Sequence, residues 1–553
     1  MFVVLVALCL NSGQLTTLVS GQRSAVDTYA ITNARIVPVS GPVIERGTVV
    51  VRNGLIAGVG AQVSAPADAR VIDGTGLTIY PGLIDANTSL GIPEASPAPS
   101  PAGGAGGGGF ALAQRQPGSS ASAPNSTQPP GLQPEIMAED MIKPGGADIE
   151  LARNSGISTA LSAPQSGIWI GQSALINLAG DTPQQMIVRS PVAMHMGFTP
   201  LRGSGYPNSL MGVFASLRQM MLDADRYRNA QQIYERAPRA IRRPELDRSL
   251  AALVPVLERK MPVVMYANTE REIERALDLA KEFNLRAIIA GGSEAGRLTG
   301  RLVEQDVPVL LSLNFPRRTT AAVPEADPEP LRLLRARVEA QNTAAKLAAA
   351  RVRFAFQSGS MANITDFLAN AAKAVDNGLA RDEALRALTI NPAEIFGVSD
   401  RLGSIEVGKI ANLTVTRGDI FARSSRITHV FIDGRPVDLK PAATTPQGRA
   451  GAAGTWSLKV NLGQGEQDIT LTLQQEGEQV RGSMRGALGG GDISNASTTP
   501  AGEIRFTVSL NTEGQTREAT FAGTISGNEM KGTVEIVGRA PGSFTGTRAG
   551  PGS

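Results

Sequence analysis

The pattern of hydrophobic and polar positions divides the chain into segments of different kinds. Residues 26–80 and 397–440 consist of short β-branched runs between turns such as Asn-Gly and Asp-Gly, which is typical of antiparallel strands. The two segments share this pattern although they are far apart in the sequence. We therefore predict that they form one composite β-sandwich.

The segment between them, residues 81–396, alternates buried strands with amphipathic helices. Pro262–Tyr266 is an apolar run, and Thr269 with Glu272 then gives a capping-box pattern before a helix with one apolar face. Strands buried on both faces, each followed by a helix, indicate parallel βαβ units. About 300 residues of such units favour a (β/α)8 TIM barrel over an open doubly wound sheet, so the fold class is α/β. No Gly-x-Gly-x-x-Gly turn follows a first strand, which disfavours dinucleotide binding.

The last segment, residues 452–553, alternates single apolar and polar residues and has no helix pattern. Ile504, Phe506 and Val508 are separated by polar residues, and turn residues recur about every eight to twelve positions. This spacing predicts an up-and-down all-β module, which we interpret as a small lipocalin-like barrel. Residues 441–451 are predicted to be the linker that precedes it.

Two segments have compositions that do not predict a packed structure. Residues 95–134 are rich in Gly, Pro, Ala and Ser and predict a disordered insertion. Phe2–Leu10 is an apolar run too short to span about 30 Å of hydrocarbon, and the small residues Ser20 and Gly21 follow it. We interpret residues 1–21 as a signal peptide and expect export to the periplasm or the extracellular space. No basic residue precedes the run, so we expect an upstream start or an atypical signal.

Composition excludes several classes of function. The chain has 53 Lys and Arg against 50 Asp and Glu, a balance that predicts neither a nucleic-acid partner nor binding to an anionic membrane. The two histidines are His195 and His429, and the one cysteine, Cys9, lies in the predicted signal peptide. The mature chain therefore cannot supply a cysteine nucleophile or three imidazole ligands for one metal.

Ordered motifs in the first 440 residues are those of a known family. Residues 71–90 read VIDGTGLTIYPGLIDANTSL, and residues 388–415 read LTINPAEIFGVSDRLGSIEVGKIANLTV. The first resembles the Asp-x-His-x-His strand motif of the amidohydrolase superfamily, and the second resembles its C-terminal signature. Residues 156–180 and 212–227 resemble the imidazolonepropionase-like branch. The resemblance implies a metal-dependent hydrolase barrel that cleaves non-peptide C–N bonds, especially those of cyclic amides.

The resemblance also implies a set of metal ligands, usually for zinc, that polarises the substrate and activates water. The family places two histidines after the first strand, Lys or Glu after the fourth, histidines after the fifth and sixth, and Asp after the eighth. In this chain those positions fall on Asn87, Ser89, Asn177, Tyr266 or Asn268, Gly291 and Gly359. None of them is a histidine or a carboxylate. We therefore predict a degenerate member that has lost the metal site and binds no cofactor.

Three side chains remain as weak candidates for chemistry without a metal. His195 lies near the middle strands, and the alternative to a catalytic role is a hydrogen-bonded structural one. Asp85 and Glu294 follow the first and sixth strands, where a carboxylate pair can carry out acid–base catalysis. The alternative is that they cap a turn and a helix end.

Two functions are compatible with these residues. The first is a non-catalytic homologue that binds a small polar ligand, with amides such as Asn87, Asn177, Asn268 and Asn314 around the vacated site. Such a protein could also join a second copy of itself, or an active amidohydrolase homologue, in an oligomer. The second function is a residual hydrolase that acts on C–N bonds, either metal-free or with a metal held by carboxylates alone.

Overall fold

We describe the protein from a computed structural model. The chain divides into two compact units, residues 1–439 and 440–553. The described residues are 28–93, 126–201, 206–239, 241–316, 330–359, 361, 363–439, 452–461, 466–476, 479–486, 489–498, 503–512, 515–536 and 542–548. The predicted signal peptide, the predicted linker and residues 95–125 of the predicted insertion lie outside this set.

The first unit contains eighteen strands and ten α-helices among its described residues. The strands are β1 (Thr28–Ile36), β2 (Ile44–Arg52), β3 (Leu55–Gly60), β4 (Arg70–Asp73), β5 (Leu77–Pro81), β6 (Leu83–Thr88), β7 (Ile157–Ser162), β8 (Trp169–Gln172), β9 (Ala174–Asn177), β10 (Ile187–Arg189), β11 (Met194–Met196), β12 (Val263–Ala267), β13 (Ala287–Gly291), β14 (Val309–Ser312), β15 (Phe354–Gln357), β16 (Leu413–Arg417), β17 (Arg426–Ile432) and β18 (Arg435–Pro436). The helices are α1 (Ala147–Asn154), α2 (Pro183–Met186), α3 (Leu210–Arg236), α4 (Arg248–Leu257), α5 (Glu270–Glu282), α6 (Thr299–Glu304), α7 (Leu331–Ala349), α8 (Phe367–Asp376), α9 (Arg381–Leu388) and α10 (Ile390–Ile395). Short 3-10 helices cover Ala138–Asp140, Ala295–Arg297 and Ile364–Asp366.

Strands from both ends of this unit form a single eight-stranded sheet. Its order is β18-β17-β16-β5-β1-β2-β3, with β4 also beside β1. The two sequence segments meet where β16 pairs antiparallel with β5, with Leu413 opposite Pro81. One buried apolar cluster, which includes Ile31, Val49 and Phe431, lies against this sheet.

The intervening strands form two sheets in a TIM-barrel-like arrangement. One sheet has the order β15-β14-β13-β12-β11-β8 and the other β10-β9-β7-β6. Strands β11 to β15 are parallel neighbours, and β6 is parallel to β7. Just beyond β15, the Gly359 N–H donates to the Asn87 carbonyl of β6 at 3.0 Å. The carboxyl ends of these parallel strands therefore meet at one end of the unit, which we call the mouth.

Local patterns predicted in this region are confirmed, with one break. β12 covers the predicted apolar run, and the Glu272 carboxylate accepts the Thr269 N–H at 3.0 Å where α5 begins. The sequence over 294–304 has a continuous helical pattern, but the structure has a 3-10 helix followed by α6, separated at Leu298. Leu298 is buried and has non-helical backbone angles, so packing interrupts a pattern that looks continuous in the sequence.

Residues 126–134 differ from the predicted disordered insertion. Leu132 and Gln133 are buried, and Leu132 forms a bridge with Trp169. The Gln133 side-chain amide donates to the Gln128 carbonyl at 2.7 Å. Burial of residues 131–134 thus anchors a segment whose Pro- and Gln-rich composition predicts no packing.

The second unit is an up-and-down antiparallel sheet, as its alternating pattern predicts. Its strands are β19 (Gly454–Asn461), β20 (Glu466–Glu476), β21 (Gln479–Gly486), β22 (Gly489–Thr498), β23 (Glu503–Thr512), β24 (Gln515–Ser526), β25 (Glu529–Ile536) and β26 (Gly542–Arg548). Each strand pairs with the next, and β26 pairs with β19. Trp456 and Phe544 are buried inside, where Phe506 and Phe521 stack with ring centroids 4.9 Å apart. Across the described residues of both units, no helix has the length and apolar character needed to cross a membrane.

Candidate functional site

Six polar side chains come together at the mouth. Strand β6 supplies two of them from alternate positions, which face the same side because strand side chains alternate. The others come from β11, β12, the last residue of β15 and the residue after it. They are Asp85, Asn87, His195, Tyr266, Gln357 and Ser358, and we call them the mouth cluster. All are buried except Tyr266, which is partly exposed.

Ser358 holds the Asp85 carboxylate on both oxygens. The Ser358 N–H donates to Oδ1 at 2.9 Å, and its hydroxyl donates to Oδ2 at 2.5 Å. The backbone N–H of Asn87 adds a third bond to Oδ1 at 3.3 Å. Burial nevertheless raises the pKa of Asp85 to about 6, because these bonds only partly offset the loss of solvation. The carboxylate thus joins β6 to the chain after β15.

The amide of Asn87 is used as donor and acceptor at once. Its Nδ2 donates to Gln357 Oε1 at 2.6 Å, and its Oδ1 accepts the Tyr266 hydroxyl at 3.1 Å. Gln357 in turn donates through Nε2 to the Leu310 carbonyl at 2.6 Å. These bonds connect β6, β12, β14 and β15 inside the mouth.

His195 is a neutral member of the mouth cluster. Its Nδ1 lies 3.1 Å from the Tyr266 hydroxyl oxygen. Because that hydroxyl already donates to Asn87, the bond requires a proton on Nδ1, which leaves Nε2 as an acceptor. Nε2 has no hydrogen-bond partner among the described residues. Burial lowers the pKa of His195 to about 3 and raises the pKa of Tyr266, so both stay uncharged near neutral pH.

Four of the positions predicted from the family pattern lie near the mouth cluster without joining it through their side chains. Ser89 follows β6 and is half-buried, whereas Asn268 is exposed. Gly291 has φ +100°, and a Cβ there would clash with the Asn268 side chain, so glycine fits this turn. Gly359 has φ +55° and contributes only its N–H, to Asn87.

Asn177 lies at the opposite end of the sheet from the mouth cluster. Strand β9 runs antiparallel to β7, with Asn177 opposite Thr159 near the amino end of β7. Its Oδ1 accepts from Thr159 and Asn412 at 3.0 and 2.8 Å, and its Nδ2 donates to Asp433 at 2.7 Å. The residue expected at the bridging-ligand position therefore links the strands to the turn after β17.

Glu294, the third weak candidate, and His429, the second histidine, are also apart from the mouth cluster. The Glu294 carboxylate accepts the Glu270 N–H at 2.7 Å at the start of α5, where a negative charge is favourable. It does not pair with Asp85. His429 lies in β17 beside Phe431, with ring centroids 6.5 Å apart.

This chain is similar to known proteins in both sequence and fold. The sequence pattern of the amidohydrolase family matches residues 330–437, from α7 through β18. An amidohydrolase from Thermotoga maritima MSB8 has a crystal structure with 25% identity and a TM-score of 0.62. That match covers 74% of this chain and 100% of the other. Residues 330–437 thus match the amidohydrolase family, and the fold is similar to that of a solved amidohydrolase.

More distant structures share identity below 20%. A Xaa-Pro dipeptidase with bound methionine has 13% identity and a TM-score of 0.44, covering 74% of this chain and 100% of that one. A molinate hydrolase has 16% identity and a TM-score of 0.42, covering 74% and 95%.

A zinc ion bound at the mouth would require free nitrogen or oxygen ligands there. Here the side chains of Asn87 and Gln357 are hydrogen-bonded to each other, and Gln357 also donates to the Leu310 carbonyl. The Asp85 carboxylate accepts from the Ser358 hydroxyl. His195 Nε2 is the one ring nitrogen without a partner in the described mouth. Among the described residues, no group of three or more His, Cys, Asp or Glu side chains is placed to hold a metal. The residues present do not fit a zinc ion.

Gln357 and Ser358 are the members of the mouth cluster that the sequence reasoning missed. The family pattern placed the eighth-strand ligand at Gly359, one residue further on. The run FAFQSGS contains a usable signal, because alternation from Phe354 and Phe356 puts Gln357 on the other face at the end of a buried strand.

The first unit also has a cavity of about 430 Å³ at the amino ends of its strands. Pro262, Ala287, Pro308 and Arg353 line it, and each lies at or just before the start of a strand from β12 to β15. This is the end opposite the mouth cluster, so the cavity is not part of the candidate site.

Proposed function

We propose that this chain is a non-catalytic amidohydrolase homologue that works by binding a partner or a small polar ligand. The observation that carries the proposal is the Asn87 amide, which is bonded to both Gln357 and Tyr266 where the family pattern expects a metal-binding histidine. An amide in that role stabilises the strands, and both of its polar atoms are already hydrogen-bonded.

Burial of the mouth cluster supports the same proposal. Hydrolysis needs an activated water next to the substrate carbonyl, and general acid–base groups within hydrogen-bond reach. Asp85, Asn87 and His195 are fully buried and bonded within the cluster. A substrate would have to break these bonds to reach them.

Thermal melting with and without EDTA tests the proposal. We expect the midpoint of the first unit to be unchanged by EDTA or by added zinc, because a metal that binds the folded state alone would raise it. A large fall in the midpoint on chelation would contradict the proposal.

A second candidate function is residual hydrolysis of C–N bonds without a metal. Asp85 favours it, because its pKa of about 6 and its 2.5 Å bond to the Ser358 hydroxyl are features of a general base beside a nucleophile. The same residues are buried, and Asp85 lacks a second carboxylate in the mouth cluster. A carboxylate-only metal site has no support among the described residues.

An assay of cyclic-amide hydrolysis separates the two functions. If the chain is a hydrolase, Asp85→Asn and Ser358→Ala should both abolish turnover, and Glu294→Gln should leave it unchanged. If wild-type protein shows no turnover above buffer, the second function is rejected.

We propose that the strands of the first unit close into a (β/α)8 barrel. Bonds from Ser358 to Asp85 and from Gly359 to Asn87 support closure between β15 and β6. Membership of the imidazolonepropionase-like branch remains a prediction from the motifs at 156–180 and 212–227.

We also propose that the protein is exported, on the basis of the apolar run Phe2–Leu10 and the small residues at Ser20 and Gly21. The N-terminal sequence of protein recovered from the periplasm or medium tests this. Cleavage near Gly21 would support export, and an intact N-terminus on protein found only inside the cell would contradict it.

A further inference from the structure

Helix α3 has fully buried residues only in its first half. Its 27 residues extend over about 40 Å. All its buried residues lie between Val213 and Ala224, and none lies in 225–236. A helical segment of about 12 residues is marginal in water without tertiary packing. The second half of α3 is partly buried at several positions but has no fully buried side chain to stabilise it.

One side of α3 exposes three large apolar residues in a line. Met211 is 86% exposed, Leu222 57% and Ile233 53%. They recur every eleven residues, which is roughly three turns, so all three lie on nearly the same side of the helix. This line is opposite the buried side of the helix, where a monomer would be expected to carry polar residues.

We propose that α3 is the interface with a second copy of this chain, packed antiparallel about a two-fold axis at Leu222. The spacing is self-complementary, since Met211 and Ile233 are equally far from Leu222. In this arrangement Leu222 meets Leu222 of the second copy, and Met211 meets Ile233 of the second copy. A two-fold interface pairs one surface patch with the same patch on the second copy, so the patch must be complementary to itself.

Charges on the same side of α3 favour the antiparallel direction. Arg226 has no hydrogen-bond or ion-pair partner in the described part of the chain. Arg218 is held by Glu282, with its Nε 2.8 Å from one carboxylate oxygen. Antiparallel packing places Arg226 beside the Arg218–Glu282 pair of the second copy, where Glu282 can accept from both. Parallel packing would instead place Arg226 against Arg226.

This inference does not depend on the proposed function, because a catalytic or a non-catalytic chain could dimerise in this way. Cysteine cross-linking in a Cys9→Ser background tests the geometry. We expect Leu222→Cys to cross-link to itself, and Met211→Cys to cross-link only when mixed with Ile233→Cys. Self-cross-linking of Met211→Cys would mean parallel packing and would overturn the proposal, as would no cross-linking at all.

Sedimentation equilibrium tests the energetics with a matched pair of variants. Leu222→Glu puts two carboxylates at the axis and should raise the dimer dissociation constant by about ten-fold or more. Val303→Glu is the control, because Val303 is 52% exposed on α6, away from α3. It should leave the constant unchanged. A monomeric wild type, or equal effects of the two variants, would overturn the proposal, and circular dichroism checks that both variants fold.

Discussion

Asn87 forms a pair of side-chain hydrogen bonds at the mouth. The family resemblance places a metal-binding histidine at this position, and the chain places an amide that bonds to Gln357 and Tyr266. An amide can donate and accept at the same time, which a metal-bound imidazole nitrogen cannot. If the proposed function is correct, this amide takes the place of a metal ligand and makes the mouth a closed hydrogen-bond network.

Removing that amide should destabilise the first unit. Asn87→Ala would leave the buried Gln357 oxygen and Tyr266 hydroxyl without their partner, at a cost of about 2–4 kcal/mol. Urea unfolding measures this cost. The control is Asn268→Ala, whose side chain is exposed, and which should change stability by less than about 0.5 kcal/mol. Equal stability of Asn87→Ala and wild type would show that the network contributes nothing.

Two buried titrating groups in the mouth cluster have opposite effects on stability. Burial raises the pKa of Asp85 from 3.8 to about 6, so the folded chain binds more protons than the unfolded chain between these values. Asp85 therefore lowers stability as pH rises across that range, by at most about 3 kcal/mol. Burial lowers the pKa of His195 from 6.5 to about 3, so His195 raises stability as pH rises between those values.

Asp85→Asn should separate these two effects. Without the Asp85 contribution, stability should rise more steeply than in wild type as pH rises from about 4 to about 6. Thermal melts across that range measure the slope. Glu294→Gln, a carboxylate at the start of α5 outside the mouth cluster, should keep the wild-type slope. The assignment fails if Asp85→Asn and wild type have the same slope.

At the scale of elements, local sequence patterns predict which strands and helices form. They do not predict strand direction or contacts between distant residues. β12 and α5 follow from an apolar run and a capping box, because both signals lie within a few residues of each other. The placement of Asn177 does not follow, because β9 runs antiparallel to β7 and only pairing reveals that direction. Likewise, Leu132 is buried through its contact with a distant residue, Trp169.

The capping box of α5 offers a test at this scale. Glu272 accepts the N–H groups of Asn268 and Thr269 at 2.8 and 3.0 Å. Glu272→Ala should lower stability by about 1 kcal/mol, in the range found for lost helix caps. Glu274→Ala, on the same helix, removes no cap and should cost less than about 0.5 kcal/mol. Equal effects in urea unfolding would mean that the cap is not stabilising.

At the scale of the whole molecule, the chain forms two units with separate cores. The sequence predicts both, because a βα alternation gives way to strict strand alternation after residue 440. The mouth cluster could be predicted only in part. The family pattern located Asn87 and Tyr266, whereas the bonds to Gln357 and Ser358 depend on how β6 and β15 meet.

Independent cores predict two unfolding transitions. Phe521→Ala removes a ring that stacks on Phe506 and should lower the stability of the second unit by about 3–5 kcal/mol. Phe354→Ala should do the same to the first unit alone, because Phe354 is buried in β15. The two tryptophans report separately, since Trp169 lies in one core and Trp456 in the other. A single transition shifted equally by both variants would contradict independent units.

Elemental analysis of the folded, purified protein tests the central claim. The claim is that the side chains of the mouth cluster are hydrogen-bonded to one another and bind no hydrolytic metal ion. Protein produced with ample zinc and dialysed against metal-free buffer should contain no stoichiometric transition metal. One equivalent of zinc per chain, lost together with folding stability when Asn87 or His195 is replaced, would contradict it.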